Sequence, residues 1–347
     1  MPELTSISIQ GFKSIASIKE LPLGPINMVI GPNGAGKSNF IGAFSLLQAY
    51  RDGRLTDFVT VAGGADRLVH FGSKLTSQIT IVMRFEDQNS EYSLALAATS
   101  ADQLALKSEF LHRLGSGQAD YVKETASMRG RQVLVVSADS SVLDQHMAAH
   151  IEKWRLYHFQ DTNTSSSMKK TADIDDNRFL RPDGSNLAAF LYLLRVKHEA
   201  SYNFIRRSVQ LVAPFFDDFQ LEPLNLNPNT IKLEWRHKNT DSYFDASSFS
   251  DGTLRFIALA TLFLQPEELR PSVILVDEPE LGLHPYAITL LASLIKQASV
   301  KTQVIALRLA ESPSWTYRRT EKQSSRCRLH HGRLLWFAVC GSKWLAW

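Results

Sequence analysis

Apolar and polar residues alternate through the first thirty positions. Ile7, Ile9 and Phe12 stand between polar neighbours, and the short apolar run 26–30 (INMVI) ends in glycine. Such alternation, and such a run closed by a turn residue, predict two strands, the second of them buried. After the segment 31–38 (GPNGAGKS) the period lengthens, and Phe40, Ala43, Phe44, Leu47 and Tyr50 recur every three or four positions. That spacing predicts a helix. Clusters of β-branched and apolar residues predict further strands over 78–85, 92–98 and 132–137. From about Leu143 to Phe216 the pattern is helical, broken by residues 160–178, whose apolar content is low enough to predict a solvated loop. A strand pattern returns over 230–237, a helix starts just after Ser250, 273–276 (VILV) reads as a buried strand, 286–297 as a helix and 303–307 as a strand. No internal repeat or long heptad run is present. Strand and helix alternating at both ends predict an α/β fold whose halves are separated by a helical insertion.

The chain has 347 residues, of which 44% are hydrophobic and 21% charged. Such a chain can bury one large core or two modest ones, which excludes fibrous and wholly disordered classes. No apolar run reaches the roughly 18 to 20 residues of a membrane span, and the opening MPELTSISIQ has no basic and apolar leader pattern. The expectation is a cytoplasmic protein with no membrane partner. Two cysteines give neither a disulfide framework nor a metal knuckle. The net charge of +3 is uneven: residues 308–347 carry +6, leaving about −3 on the first 307. The same tail holds Trp315, Trp336, Trp344, Trp347 and both cysteines, without a helical or strand period.

Three segments carry candidate chemistry. Residues 31–38 fit GxxxxGK[ST], in which glycines let successive N–H groups curl around a phosphate at the start of a helix. In that pattern Lys37 supplies charge to the β and γ phosphates of ATP and Ser38 a hydroxyl to Mg²⁺. In the second, the apolar strand 273–276 ends in Asp277 and Glu278, which places two acids at the carboxyl edge of a sheet. Asp277 is expected to bind the Mg²⁺ through water and Glu278 to act as the base that polarises the attacking water. The third is 249–253 (FSDGT), where Ser250 is suited to cap the following helix and Gly252 admits a close backbone approach. Taken alone, that segment reads simply as a capped helix. His146, His150 and His158 are too loosely spaced for a metal site, and Lys169, Lys170, Arg206 and Arg207 read as solvated charge.

The order of these segments resembles the ABC-type ATPase heads, in particular the SMC, RecF and OLD branch. The opening Ile7-x-Ile9-x-Gly11-Phe12-Lys13-Ser14-Ile15 is similar to that branch's N-terminal strand and turn, FSDGT stands where the signature LSGGQ falls, and 277–285 (DEPELGLHP) resembles Walker B and the D-loop. His284 stands where transporter ATPases have Asp. Residues 181–187 (RPDGSNL) and 157–159 (YHF) resemble the insertion of bacterial OLD-like, AAA_21-type ATPases. The resemblance implies a P-loop NTPase fold with a mixed sheet: residues 1–140 as one ATPase lobe, 141–216 as the helical insertion, 217–307 as the second lobe, and 308–347 as an atypical tail. It further implies nucleotide contacts from Asn33, Gly34, Ala35, Gly36, Lys37, Ser38 and Asn39, with Ser250 and Gly252 completing the site of a second copy in an ATP-bridged homodimer. The implied activity is ATP hydrolysis driving a dimer switch in DNA repair or in defence against phage and other mobile elements. DNA and a nuclease or other effector protein are the implied partners.

The sequence departs from that family at two places. Where the branch has a polar switch residue after the last strand, this chain reads 303–308 (QVIALR), and the family pattern is lost from near Ala306. Either the reading frame changes there or the tail is a genuine basic aromatic segment that binds nucleic acid. Gln78 and His70 are the candidates for the Q-loop position. Two rival functions stay open: an ATP-binding regulatory scaffold without turnover, and the ATPase of a membrane importer, against which the SDGT, GFKSI and LHP segments speak.

Overall fold

The alternation at the N-terminus folds as β1 (Leu4–Phe12), with Leu4, Ile7 and Ile9 buried, flanked antiparallel by β2 (Ile15–Pro22) and β4 (Gln78–Phe85). β2 was not predicted, because its buried Ile15, Ile18 and Leu21 are spaced by three. The structure gives the reason for the second of these spacings. Pairing slips between Ile7 opposite Leu21 and Ile9 opposite Ile18, and Glu20 takes φ 43. An extra residue on one strand of a pair turns a period of two into three.

The computed structural model describes residues 4–31, 34–86, 90–113, 119–128, 131–137, 151–309, 324–328 and 334–340. Asn33, His146, His150 and most of the tail therefore lie outside the described residues. The chain divides into two units, the first running to Trp154 and taking in the tail strands, the second running from Arg155 to Arg308. The division falls within the short strand β9 (Trp154–Tyr157).

In the first unit β5 (Ser90–Ala98), β6 (Leu104–Arg113), β7 (Ala119–Met128) and β8 (Arg131–Ser137) extend the antiparallel sheet in the order β2-β1-β4-β5-β6-β7-β8. The buried run becomes β3 (Ile26–Gly31), which leads through the glycine-rich turn into α1 (Lys37–Arg51). α1 buries Phe40, Phe44 and Leu47, and Phe44 meets Trp154 at 5.5 Å between ring centroids. At the far end of the helix Tyr50 donates to Glu109 at 2.9 Å, Tyr92 donates to the same carboxylate at 2.7 Å, and the Arg51 guanidinium lies 3.7 Å away. Glu109 is 1% exposed, so its charge is tolerated only because these groups replace water. Burial, then the charge of Glu109, hold the Tyr92 phenol well above its ordinary range, so it stays a donor. The tail, in which no strand period is legible, contributes β18 (Ser324–Arg328) and β19 (Leu334–Cys340), and β19 runs antiparallel to β3 from Trp336 opposite Ile30 to Cys340 opposite Ile26.

In the second unit β16 (Val273–Asp277) and β17 (Gln303–Leu309) are parallel, joined by the helix Pro285–Ala298, as parallel neighbours require a crossover. Between 151 and 216 the helical structure is α3 (Leu187–Lys197), α4 (Glu199–Val212) and one 3-10 turn at Ser167–Lys169, α2 (Leu55–Ala62) belonging to the first unit. Among the described residues the expected helical stretch is thus shorter, and its start at 143–150 lies outside them. The predicted loop 160–178 is not wholly solvated, since Thr162, Ser166 and Met168 are buried and Lys169 donates to the Thr162 carbonyl at 2.6 Å. The strand expected over 230–237 is two. β13 (Asn227–Ile231) pairs with β10 (Ala172–Asp173) and β12 (Pro223–Leu224), whereas β14 (Glu234–His237) pairs with β11 (Phe216–Gln220) and β15 (Tyr243–Asp245). The chain changes sheet at Leu233, whose carbonyl accepts from the Ala246 N–H at 3.0 Å. α5 (Asp251–Leu264) is apolar on every side and buried from Leu254 to Leu264, and α6 is the crossover Pro285–Ala298. Among the described residues no helix is long and apolar enough to cross a membrane.

Candidate functional site

The first unit carries the phosphate loop. Gly34 (φ 73) and Gly36 (φ 87) take the left-handed conformation that glycine adopts without steric cost, and this turns β3 sharply into α1. Gly36 is the N-cap of α1, and no side chain among the described residues caps it. A helix start of this kind, approached by a glycine turn, suits an anion. Lys37 is 6% exposed and donates from Nζ to the Gly31 carbonyl at 2.8 Å, so its charge is held inside the loop rather than in water. Ser38 is exposed one residue further on, and Ala35 is buried. Asn39, expected at the nucleotide, donates to Ser14 Oγ at 2.7 Å and ties α1 to the turn between β1 and β2.

That turn is itself tightly held. Gly11 has φ 72, and a Cβ there would lie 2.4 Å from the Gln78 carbonyl oxygen. The His70 N–H donates to the Gly11 carbonyl at 3.0 Å, and its ring Nδ1 lies 2.7 Å from the Lys13 carbonyl. Lys13 has φ 49, and partial burial lowers its ammonium pKa. The Q-loop candidates are both engaged in this unit: His70 with Lys13, and the Gln78 side chain with Thr80 at 3.2 Å and with Lys107.

The second unit carries the two acids and the serine-glycine helix start. Val273–Val276 are buried, and Asp277 ends β16 opposite Leu307. Glu278 has φ 45, an unfavourable conformation for a residue with a Cβ, and its N–H donates to the Leu307 carbonyl at 3.1 Å. The turn that follows is closed by Leu281 N–H to Glu278 carbonyl and Leu283 N–H to Glu280 carbonyl, both 3.1 Å, and reverses at Gly282 with φ 72. His284 caps α6, its Nδ1 accepting from the Tyr286 N–H at 3.4 Å, with Pro285 as the first helical residue. An imidazole can therefore take the capping role for which a carboxylate is commoner.

Ser250 is the N-cap of α5 and accepts from the Thr253 N–H at 3.2 Å. The segment before it is fixed by aromatic packing. Phe249 stacks on Trp235 at 4.7 Å and 19°, and the Trp235 indole donates to Ser248 Oγ at 2.9 Å. Gly252 is required by a close approach, although from this chain itself: a Cβ at Gly252 would lie 2.3 Å from the Gly282 carbonyl oxygen. Replacing Gly252 with alanine therefore forces the Gly282 turn away. The expected loss is about 1–3 kcal/mol of stability, measured as a lowered midpoint in thermal unfolding, and an unchanged midpoint would contradict the contact.

Each unit thus gathers its own members of the predicted set, Gly34–Asn39 in the first and Asp277, Glu278, Ser250 and Gly252 in the second. Sequence reasoning missed Arg255. It is 5% exposed, donating from Nε to the Phe159 carbonyl at 2.8 Å, from Nη2 to the Gln160 carbonyl at 2.9 Å and from Nη1 to the Leu281 carbonyl. Its signal was legible as one arginine inside the apolar run 254–264. Lys169, read as solvated, lies 3.9 Å from Asp251 with its side chain largely buried.

The fold defines the class: it is that of SMC head domains. The chain belongs to the AAA_21 family, described as "AAA domain, putative AbiEii toxin, Type IV TA system", whose profile matches residues 26–306. An SMC head bound to the C-terminal winged-helix domain of ScpA has 19% identity and a TM-score of 0.58, with 89% of this chain and 90% of that one covered. An Smc head with an extended coiled coil, bound to the C-terminal domain of ScpA from Pyrococcus furiosus, gives 16%, 0.53, 89% and 90%. At these identities the likeness is one of fold. No curated protein matches the sequence. The family match ends at Ala306, the residue near which the motif pattern is lost.

Proposed function

We propose that this chain binds ATP with Mg²⁺ and hydrolyses it, and that two copies close on two nucleotides as a switch in DNA repair or in defence against mobile elements. The observation that supports this most is the phosphate loop, in which a buried lysine follows two left-handed glycines at a helix start that no side chain among the described residues caps. Gly34, Ala35, Gly36 and Lys37 would hold the phosphates. Ser38 and Asp277 would hold Mg²⁺, which supplies Lewis-acid polarisation of the phosphoryl oxygens. Glu278 acts as the base, and its backbone, pinned to Leu307, keeps the carboxylate's attachment point fixed at the end of β16. Ser250 and the first turn of α5 complete the site of the second copy. In this reading residues 1–140 and 217–307 are the two lobes and 141–216 the insertion.

Purified protein is expected to turn over ATP, with DNA raising the rate and ATP shifting the sedimentation coefficient to that of a dimer. A monomer that binds ATP without turnover would instead support the second reading, a nucleotide-gated regulatory scaffold for a nuclease or toxin. That reading is favoured by the loss of the family pattern from Ala306, which removes the expected polar switch residue.

A further inference from the structure

The signature start of α5 and the turn after β16 are interlocked. The Gly252 backbone leaves no room for a methyl group beside the Gly282 carbonyl, and a Cβ on Gly282 would lie 2.8 Å from Arg255 Nη1. Arg255, one turn into α5, binds the Leu281 carbonyl on this turn and the Phe159 and Gln160 carbonyls on the segment entering the 160–170 loop. Arg255 is 5% exposed, and desolvation lowers its pKa, opposed by the charges of Asp251 and Glu278. Neither end can shift without breaking charge-assisted bonds. The turn runs straight on from Glu278, which serves the subunit's own nucleotide in the reading above, whereas Ser250 serves the partner's.

We infer that Arg255 is a positioning residue that couples these two half-sites within one subunit, so that the two nucleotide sites of the dimer act cooperatively. This rests on the dimeric ATPase reading. Movement of the Glu278–Leu283 turn is passed to the start of α5 through Arg255 and the Gly252–Gly282 contact, without any change in the phosphate loop.

Arg255→Lys keeps the charge but has a single nitrogen for three carbonyls. In hydrogen–deuterium exchange on the nucleotide-free chain, peptides covering 250–256 and 278–284 should both exchange roughly tenfold faster in this variant, with protected regions other than the segment around Phe159 and Gln160 unchanged. A rise in one peptide alone, or in neither, overturns the tie. In steady-state kinetics the wild type should show a Hill coefficient above about 1 and approaching 2, and Arg255→Lys a coefficient of about 1 with the ATP dissociation constant within about twofold. Wild-type turnover with a Hill coefficient of about 1, or a variant with lower kcat and unchanged cooperativity, overturns the coupling while leaving the ATPase reading intact. Absence of wild-type turnover overturns the ATPase reading instead, and the exchange experiment still decides the tie. Should Arg255→Lys fail to fold, Gly282→Ala displaces the same guanidinium and is expected to give the same two signatures.

Discussion

Replacing Lys37 with alanine is expected to lower the proposed ATP turnover by about 10²–10³-fold, the loss that accompanies removal of one preorganised charged or hydrogen-bonding group from a developing anion. The size follows from the setting of the side chain. A lysine in water gives little field at a phosphate, because solvent screens it. Lys37 is 6% exposed and fixed to the Gly31 carbonyl, so its field acts through protein and needs no reorganisation. ATP affinity should fall as well, because in the proposed function the same ammonium also binds the ground-state phosphates. The variant leaves the buried Gly31 carbonyl without this donor, at a cost of about 1–3 kcal/mol, so a thermal unfolding curve must accompany the assay. A folded Lys37→Ala protein with turnover within about threefold of wild type would remove the phosphate loop from the mechanism.

Glu278→Gln separates binding from chemistry. Glutamine is isosteric, keeps the N–H bond to Leu307 and meets the same φ of 45, so the turn into Leu281 and Gly282 is retained. What is lost is a proton acceptor, and kcat is expected to fall by about 10²–10⁴-fold while ATP still binds. If closure on a second copy precedes hydrolysis, this variant accumulates the ATP-bound dimer, which sedimentation with and without ATP will reveal. Turnover at the wild-type rate would falsify the assignment of Glu278 as the base.

Much of this was legible beforehand. The phosphate loop, the strand ending in Asp277 and Glu278 and the capped start at Ser250 are local patterns, each written within a few residues, and such patterns constrain backbone conformation directly. The strand over 78–85 emerged with its predicted limits because its period of two is unbroken, as the alternating burial of β4 shows. Prediction failed where a neighbouring strand or sheet overrides the local pattern. Ile18 and Leu21 stand three apart because a bulge absorbs Glu20, and 230–237 splits because its two ends find partners in different sheets. The segment 160–178 reads as polar and solvated, yet it is held by Lys169, Ser166 and the carbonyls that Arg255 requires.

The sequence by itself determined the chemistry available to this protein: a cradle for phosphates at Gly31–Ser38, two acids at a strand end, and a second helix start with serine at its cap. These follow from short-range rules of glycine freedom, capping and strand termination. Only the tertiary structure decided what each group is tied to. Gly252 is needed because the Gly282 carbonyl crosses it, Asn39 serves the β1–β2 turn, and Arg255 belongs to three backbone segments at once. Such ties join residues up to about a hundred positions apart, and a buried donor must find its acceptors wherever the packed chain presents them.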